Sequence, residues 1–151
     1  MKLPHGLFKL INLIMVTLLR SPLHGIFSGS ILALRYRGVK SGKTFTVPAR
    51  YHRAEDGLVL ITSDDTRWWP NFLQPAEAEA LVQGRWVSAR VEAIKGQPDL
   101  AGPLMREMWA EHPSDAAYMN VRLKDGEPVA EDFEAALKTA VVVRIQLKDA
   151  A

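Results

Sequence analysis

Ile31-Leu32-Ala33-Leu34-Arg35-Tyr36-Arg37, then Gly38-Val39-Lys40-Ser41-Gly42-Lys43, then Thr44-Phe45-Thr46-Val47-Pro48-Ala49-Arg50-Tyr51 set the architecture. In the first block Leu32, Leu34 and Tyr36 alternate with Ala33, Arg35 and Arg37, a period of two that predicts a strand with one greasy and one basic face. The middle block, with two glycines, reads as a turn. The third block, rich in Thr and Val, returns as a second strand. Pro48 inside it has no N–H to give a neighbour, so it argues for an edge, a bulge or a ligand-facing stretch.

Working toward the C-terminus, Glu55-Asp56-Gly57 is a hairpin signal, and Leu58 to Thr62 is a strand apolar on both faces. Ser63 to Phe72 lacks a period and reads as a loop with a helical turn. Ala76 to Val82 is ambiguous between helix and strand, and strand is expected over Ala80 to Gln83. Arg85 to Ile94 alternates, with Val87, Ala89, Val91 and Ala93 on one face. Pro98-Asp99 opens a helix to about Glu111, along which Leu100, Leu104 and Met108 recur every fourth residue. His112-Pro113-Ser114 breaks it, and Ser114 is placed to cap a short helix over Tyr118 and Met119. A polar loop at Lys124 to Pro128, a helix at Glu131 to Lys138 and a strand through Val141, Val143, Ile145 and Leu147 complete the pattern. The expectation is a mainly β, α+β chain: a six-stranded antiparallel barrel or half-barrel with helices inserted before the last strand.

Working toward the N-terminus, Leu7 to Leu19 is nearly all apolar, and Lys9, Asn12, Thr17 and Arg20 fall on one stripe at helical spacing. Its uninterrupted core, Leu13 to Leu19, is too short to cross a bilayer, which takes about 20 residues. This amphipathic segment reads as a helix on the domain's own core, a helix on a dimer partner or a peripheral helix on a membrane surface, while Arg20, Pro22 and His24 fit a signal peptide poorly. The domain organisation expected is a helical segment over 1–30 and one barrel domain over 31–148.

Composition narrows the chemistry. Of 151 residues none is cysteine, which removes disulfides, thiolate metal sites and thiol nucleophiles and fits a cytoplasmic protein. The four histidines, His5, His24, His52 and His112, show no ligand spacing, so no metal site is expected. No G-x-S-x-G elbow occurs, and the glycine spacing before Gly42-Lys43-Thr44 does not fit a P-loop. Charge is divided: residues 1–54 carry nine basic side chains and no acidic one, whereas the remainder carries a net −7. That asymmetry calls for an anionic partner or for neutralisation within the fold. Lys40-Ser41-Gly42-Lys43-Thr44 has the makings of an anion grip: backbone N–H groups at a glycine turn, two hydroxyls and two ammonium groups. A solvated hairpin turn would read the same. Trp68-Trp69 lies outside the basic stretch, so nucleic-acid binding is not expected; one of the two rings could cover a planar ligand.

Gly38-Val39-Lys40-Ser41-Gly42-Lys43, Thr46-Val47-Pro48, Tyr51, Asp56-Gly57, Ser63, Trp68-Trp69-Pro70-Asn71-Phe72 and Pro75 occur in that order. Together they resemble the deazaflavin (coenzyme F-420)-dependent nitroreductase and quinone reductase family, whose pattern runs G-R-x-S-G, T-x-P-L-x-Y, D-G, a serine, W-x-x-N-L and N-P. The match spans about residues 32 to 94. It implies a split β-barrel like that of FMN-binding reductases, and hydride transfer from the cofactor to a small conjugated acceptor such as a quinone or nitroaromatic. It implies that Lys40, Ser41, Gly42 and Lys43 lie near the phosphate and acidic tail of F-420. Thr46, Val47 and Pro48 would line its ring, and Ser63, Trp68, Trp69 and Asn71 the second side of the pocket. Tyr118 becomes the candidate proton donor or substrate contact, and a homodimer is expected. Three departures stand out: Val39 replaces the turn's arginine, Asp64-Asp65 follows Ser63 where a basic residue is usual, and the substrate-side tyrosines reduce to Tyr118. FMN on the same barrel is the alternative cofactor, and a non-catalytic dimeric or membrane-docked domain the alternative role.

Overall fold

The structure, a computed structural model, describes residues 13–14, 31–55 and 57–148. The expectations for 1–30 as a helical segment and for the Leu7 to Leu19 stripe therefore lie outside the described residues, apart from the exposed Leu13 and Ile14. Asp56 of the hairpin signal lies outside them too.

Within residues 31–148 the described elements follow in order: β1 (Ile31–Arg37), β2 (Thr44–Arg50), β3 (His52–Ala54), β4 (Gly57–Ser63), β5 (Ala76–Val82), β6 (Arg85–Lys95), α1 (Pro98–Glu111), β7 (Leu123–Lys124), β8 (Glu127–Pro128), α2 (Ala130–Thr139) and β9 (Ala140–Leu147). Two 3-10 turns, Trp69–Phe72 and Pro113–Met119, lie between β4 and β5 and between α1 and β7. The main sheet has seven strands, all paired antiparallel, in the order β2-β1-β5-β6-β9-β4-β3. Its two outermost strands are thus consecutive in the chain, with only Tyr51 between them. A flat sheet of that many strands would be about 29 Å wide. One intervening residue bridges only about 7 Å. The sheet must curl until its two edges meet, which makes the half-barrel. The buried Tyr51 sits at the seam, in the interior cluster.

The curl separates two cores. Inward-facing Leu32, Leu34, Leu58, Leu60, Val91, Val143 and Ile145 fill the barrel with Phe72 and the two tryptophans. The outward residues of β4 and β9, Val59 and Val142, join Met105 and Trp109 of α1 and Phe133 of α2 in a second core, with Trp109 edge-on to Phe133 at 6.1 Å. β4 and β9 are buried on both faces, which explains their near-continuous apolar runs.

The structure corrects several expectations. Seven strands replace six because His52–Ala54, just past the expected end of the second strand at Tyr51, forms a strand of its own: the chain leaves β2 at Tyr51 and pairs His52–Ala54 with β4 at the opposite edge. Strand β5 runs from Ala76, not Ala80, since its alternating Ala and Glu fit one buried and one exposed face. Gln83 is outside it, at φ 50° in a two-residue turn with Gly84 at φ 79°, the primed geometry that matches strand twist. The expected polar loop at Lys124 to Pro128 is the hairpin β7–β8 around Asp125-Gly126, which adopts the same geometry. Ser114 caps nothing; the segment it was to cap is a 3-10 turn preceded by His112 and lacking a side-chain cap. Pro48 sits, as its chemistry requires, on the edge strand β2.

Candidate functional site

The turn between β1 and β2 is built by its own backbone. The Gly38 N–H donates to the Lys43 carbonyl at 2.8 Å and the Gly42 N–H to the Gly38 carbonyl at 2.9 Å. Gly42 takes φ 69°, where a side chain would be strained. The Lys43 N–H donates to Ser41 Oγ at 3.2 Å, and the Val39 N–H to Asn71 Oδ1 at 2.9 Å. So most of the turn's N–H groups are already satisfied. Those of Lys40 and Ser41 remain to meet an anion, with the Ser41 hydroxyl and the two ammonium groups. That is a smaller grip than a wholly outward-pointing glycine turn would give. Its charge is available: among the described residues, Arg37, Lys40 and Lys43 enter no ion pair.

Asn71 organises the site. While its Oδ1 holds the Val39 N–H, its Nδ2 donates to the Trp68 carbonyl at 2.9 Å. One side chain therefore couples the lysine turn to the Trp68–Phe72 loop, and Lys40, Ser41, Gly42, Lys43 and Asn71 form one unit. Trp68 and Trp69 are buried, so both serve the barrel core rather than a lid. Trp69 reaches a partner with its indole N–H, which donates to the Asp64 carbonyl at 3.1 Å.

Strand geometry divides the next three candidates. Val47 lies opposite Leu34 and packs on the interior cluster, whereas Thr46 and Pro48 lie opposite Arg35 and Ala33 on the outer face. Three consecutive strand residues cannot present their side chains to one surface. Ser63 ends β4, and its carbonyl accepts from the Thr66 hydroxyl at 2.9 Å.

The acidic pair separates as well. Asp64 Oδ2 is 3.0 Å from Lys95 Nζ, which neutralises it away from the turn. Asp65 faces Tyr118. The Tyr118 residue is 60% exposed, yet its hydroxyl is desolvated and sits near the Asp65 carboxylate, and both raise its pKa above 10.0; a hydrogen bond with Thr62 works the other way. A phenol with a raised pKa stays protonated at neutral pH and is a proton holder rather than a base. The contacts of Tyr118 are at the Ser63 end of the 63–72 loop, while those of the lysine turn are at its Asn71 end. In the same 3-10 segment Asp115 pairs with Arg50.

Sequence reasoning passed over Phe45. It faces inward beside Val47, stacks on Tyr36 at 5.7 Å and is still 44% exposed at the barrel mouth. Its position on the Val47 and Ala49 face was the available signal. Burial raises the Tyr36 phenol beneath it, so that ring is neutral. A cavity of about 90 Å³ lies elsewhere, among Gly57, Leu58, Arg90, Glu92, Arg144 and Ile145. No residue of the lysine turn lines it, and a drug-sized ligand needs about 300 Å³ or more. Among the described residues no cluster of metal-ligating side chains occurs, and no helix is long and apolar enough to cross a membrane.

No family model and no curated protein matches the chain. Solved structures do. A protein of unknown function from Agrobacterium tumefaciens, Atu2129, aligns at 14% identity and a TM-score of 0.49 over 79% of this chain and 50% of that one, so this chain spans half its length. The heme storage protein HutZ of Vibrio cholerae aligns at 13% identity and a TM-score of 0.49, covering 86% of this chain and 91% of that one. A pyridoxamine 5'-phosphate oxidase-related, FMN-binding protein of Nostoc punctiforme aligns at 19% identity and a TM-score of 0.50, over 89% of this chain and 78% of that one. At that identity the likeness establishes architecture alone: the chain has the curled antiparallel split-barrel fold that this FMN-binding protein also has.

Proposed function

We propose that this chain is an oxidoreductase that binds a phosphorylated flavin-type cofactor, coenzyme F-420, and reduces small conjugated acceptors such as quinones or nitroaromatics. The observation that carries the reading is the lysine turn: two ammonium groups without ion-pair partners among the described residues, in a turn held by Asn71 to the loop beside the barrel mouth. A phosphate or carboxylate tail fits that donor set. The pairing of Asp64 with Lys95 offsets that carboxylate's share of the repulsion an anionic ligand would meet. The cofactor would supply the hydride chemistry; the protein's part is to hold its anionic tail, orient its ring and exclude water. Tyr118, protonated at neutral pH, would serve as a hydrogen-bond donor to an acceptor carbonyl or nitro oxygen.

FMN is the second reading, favoured by the fold shared with the Nostoc FMN-binding protein. Either ring would lie at an open mouth in one chain, and a second copy covering it gives the homodimer we propose alongside.

Titration with F-420 and with FMN, followed by absorbance and fluorescence, tests the reading. Binding of one of them at tens of micromolar or tighter is expected, weakened at least tenfold in Lys40→Ala with Lys43→Ala and weakened by added salt. Absence of binding by both ligands at those concentrations would end the proposal.

A further inference from the structure

Phe45 has no assigned role in the site described above, yet its surroundings are specific. One face lies on Tyr36, with ring centroids 5.7 Å apart and planes 29° apart. Tyr36 meets Phe72 edge-on at 5.4 Å, and Phe72 meets Trp68 edge-on at 6.3 Å. The four rings form a row that begins in the buried core and ends at Phe45, which remains 44% exposed. Its ring edge is pinned at the turn: a Cβ on Gly38 would come within 2.9 Å of Phe45 Cε2 and 3.0 Å of Ser41 Oγ. Gly38 is therefore the residue that lets this ring lie against the turn, and the ring ends beside Ser41, with Lys40 and Lys43 on either side in sequence.

A large apolar side chain left open at the end of a packed row, next to unpaired cations, suits a ligand that is flat and aromatic at one end and anionic at the other. We infer that Phe45 is a stacking platform: the planar ring of the ligand continues the Trp68–Phe72–Tyr36–Phe45 row, while its phosphate meets Lys40, Lys43 and the free N–H groups of the turn. The inference rests on the proposed cofactor class and adds a residue and a two-point mode of recognition to it. Ring and tail are then read by separate groups, the ring by Phe45 and the charge by the lysines.

Separate reading makes the test decisive. Fluorescence titrations use FMN, F-420 and riboflavin, which keeps the flavin ring and lacks the phosphate. Stacking on one aromatic side chain is worth on the order of tenfold in affinity. Phe45→Ala should weaken FMN and riboflavin by about the same factor, Phe45→Trp should restore both, and Lys40→Ala with Lys43→Ala should weaken FMN while sparing riboflavin. Far-UV circular dichroism of the Phe45 variants should match the wild type, since the side chain is half open. Phe45→Ala binding all three ligands within twofold of the wild type would overturn the inference and leave the proposed function standing. A loss for FMN without a loss for riboflavin would also overturn it, because the ring would then act only by shaping the turn. A wild type that takes neither FMN nor F-420 would instead remove the cofactor reading itself.

Discussion

The helix-covered face and the hairpin mouth of this barrel treat charge and apolar surface in opposite ways. Under the helices nearly everything is matched. Trp109, Met105 and Phe133 close over Val59 and Val142, and the polar groups around them are partnered: the His52 ring hydrogen-bonds Glu107 at 3.0 Å, and Arg106 pairs with Glu127 at 3.2 Å and Arg122 with Asp132 at 2.8 Å. At the mouth, among the described residues, Arg37, Lys40 and Lys43 have no carboxylate partner, while Val39 at 75% and Phe45 at 44% exposure leave apolar surface in water. Surface ion pairs add little stability each, so the contrast is not mainly about holding the fold together. It separates a region whose polar and apolar groups are met within the fold from one that leaves cations and apolar surface facing solvent.

The sharpest way to break that comparison is to cut into the completed side. Trp109→Ala removes a buried indole and its contact with Phe133, and about 3–5 kcal/mol of stability should go with it, read by urea denaturation. A loss no larger than that of Phe45→Ala would mean the helices do not seal a core. Smaller, and specific to the mouth, is Asn71→Ala, which frees the Val39 N–H and leaves the Trp68 carbonyl only the backbone N–H of residue 71, at 3.3 Å. A cost of about 1–2 kcal/mol is expected, with faster amide hydrogen exchange at Val39 and unchanged exchange in β9. Uniform acceleration would show that Asn71 does not couple the two loops. Smallest is the pH effect on the helical side. Hydrogen bonds from the Arg122 guanidinium and backbone N–H hold the Asp132 carboxyl below its ordinary 3.8. A depressed folded-state value stabilises above the unfolded value and fades as pH falls through the folded one. The melting temperatures of the wild type and Asp132→Asn should therefore converge below about pH 3.8 and differ slightly above it. A constant gap across that window would show the pair to be energetically silent.

Much of the barrel could be read directly because its signals are local. The alternation in β1 and β6, the edge position of Pro48 and the Pro98 start of α1 each depend on a few neighbouring residues. What could not be read depends on contacts distant in sequence. Nothing local to His52-Arg53-Ala54 says that it leaves β2 and crosses to β4, since the closure is set by sheet order. Asp125-Gly126 was a local signal overlooked in favour of polarity. At the site, the lysines and Asn71 were legible as residue types, but the bond from Val39 to Asn71 spans 32 residues, and the neutralisation of Asp64 by Lys95 joins different strands' ends. The separation of Val47 from Thr46 and Pro48, by contrast, is local and follows from the strand's period of two.

In the function proposed above, the β1–β2 turn and the aromatic mouth beside it receive the anionic, planar ligand. Backbone amide shifts of the labelled protein, followed as FMN or F-420 is added, test it most directly. The account predicts the largest changes at Lys40, Ser41 and Phe45, with smaller ones at Gly38 and Gly42, whose N–H groups are already bonded within the turn. Changes centred instead on Arg90, Glu92 and Arg144, around the small cavity of the β6–β9 face, would contradict it.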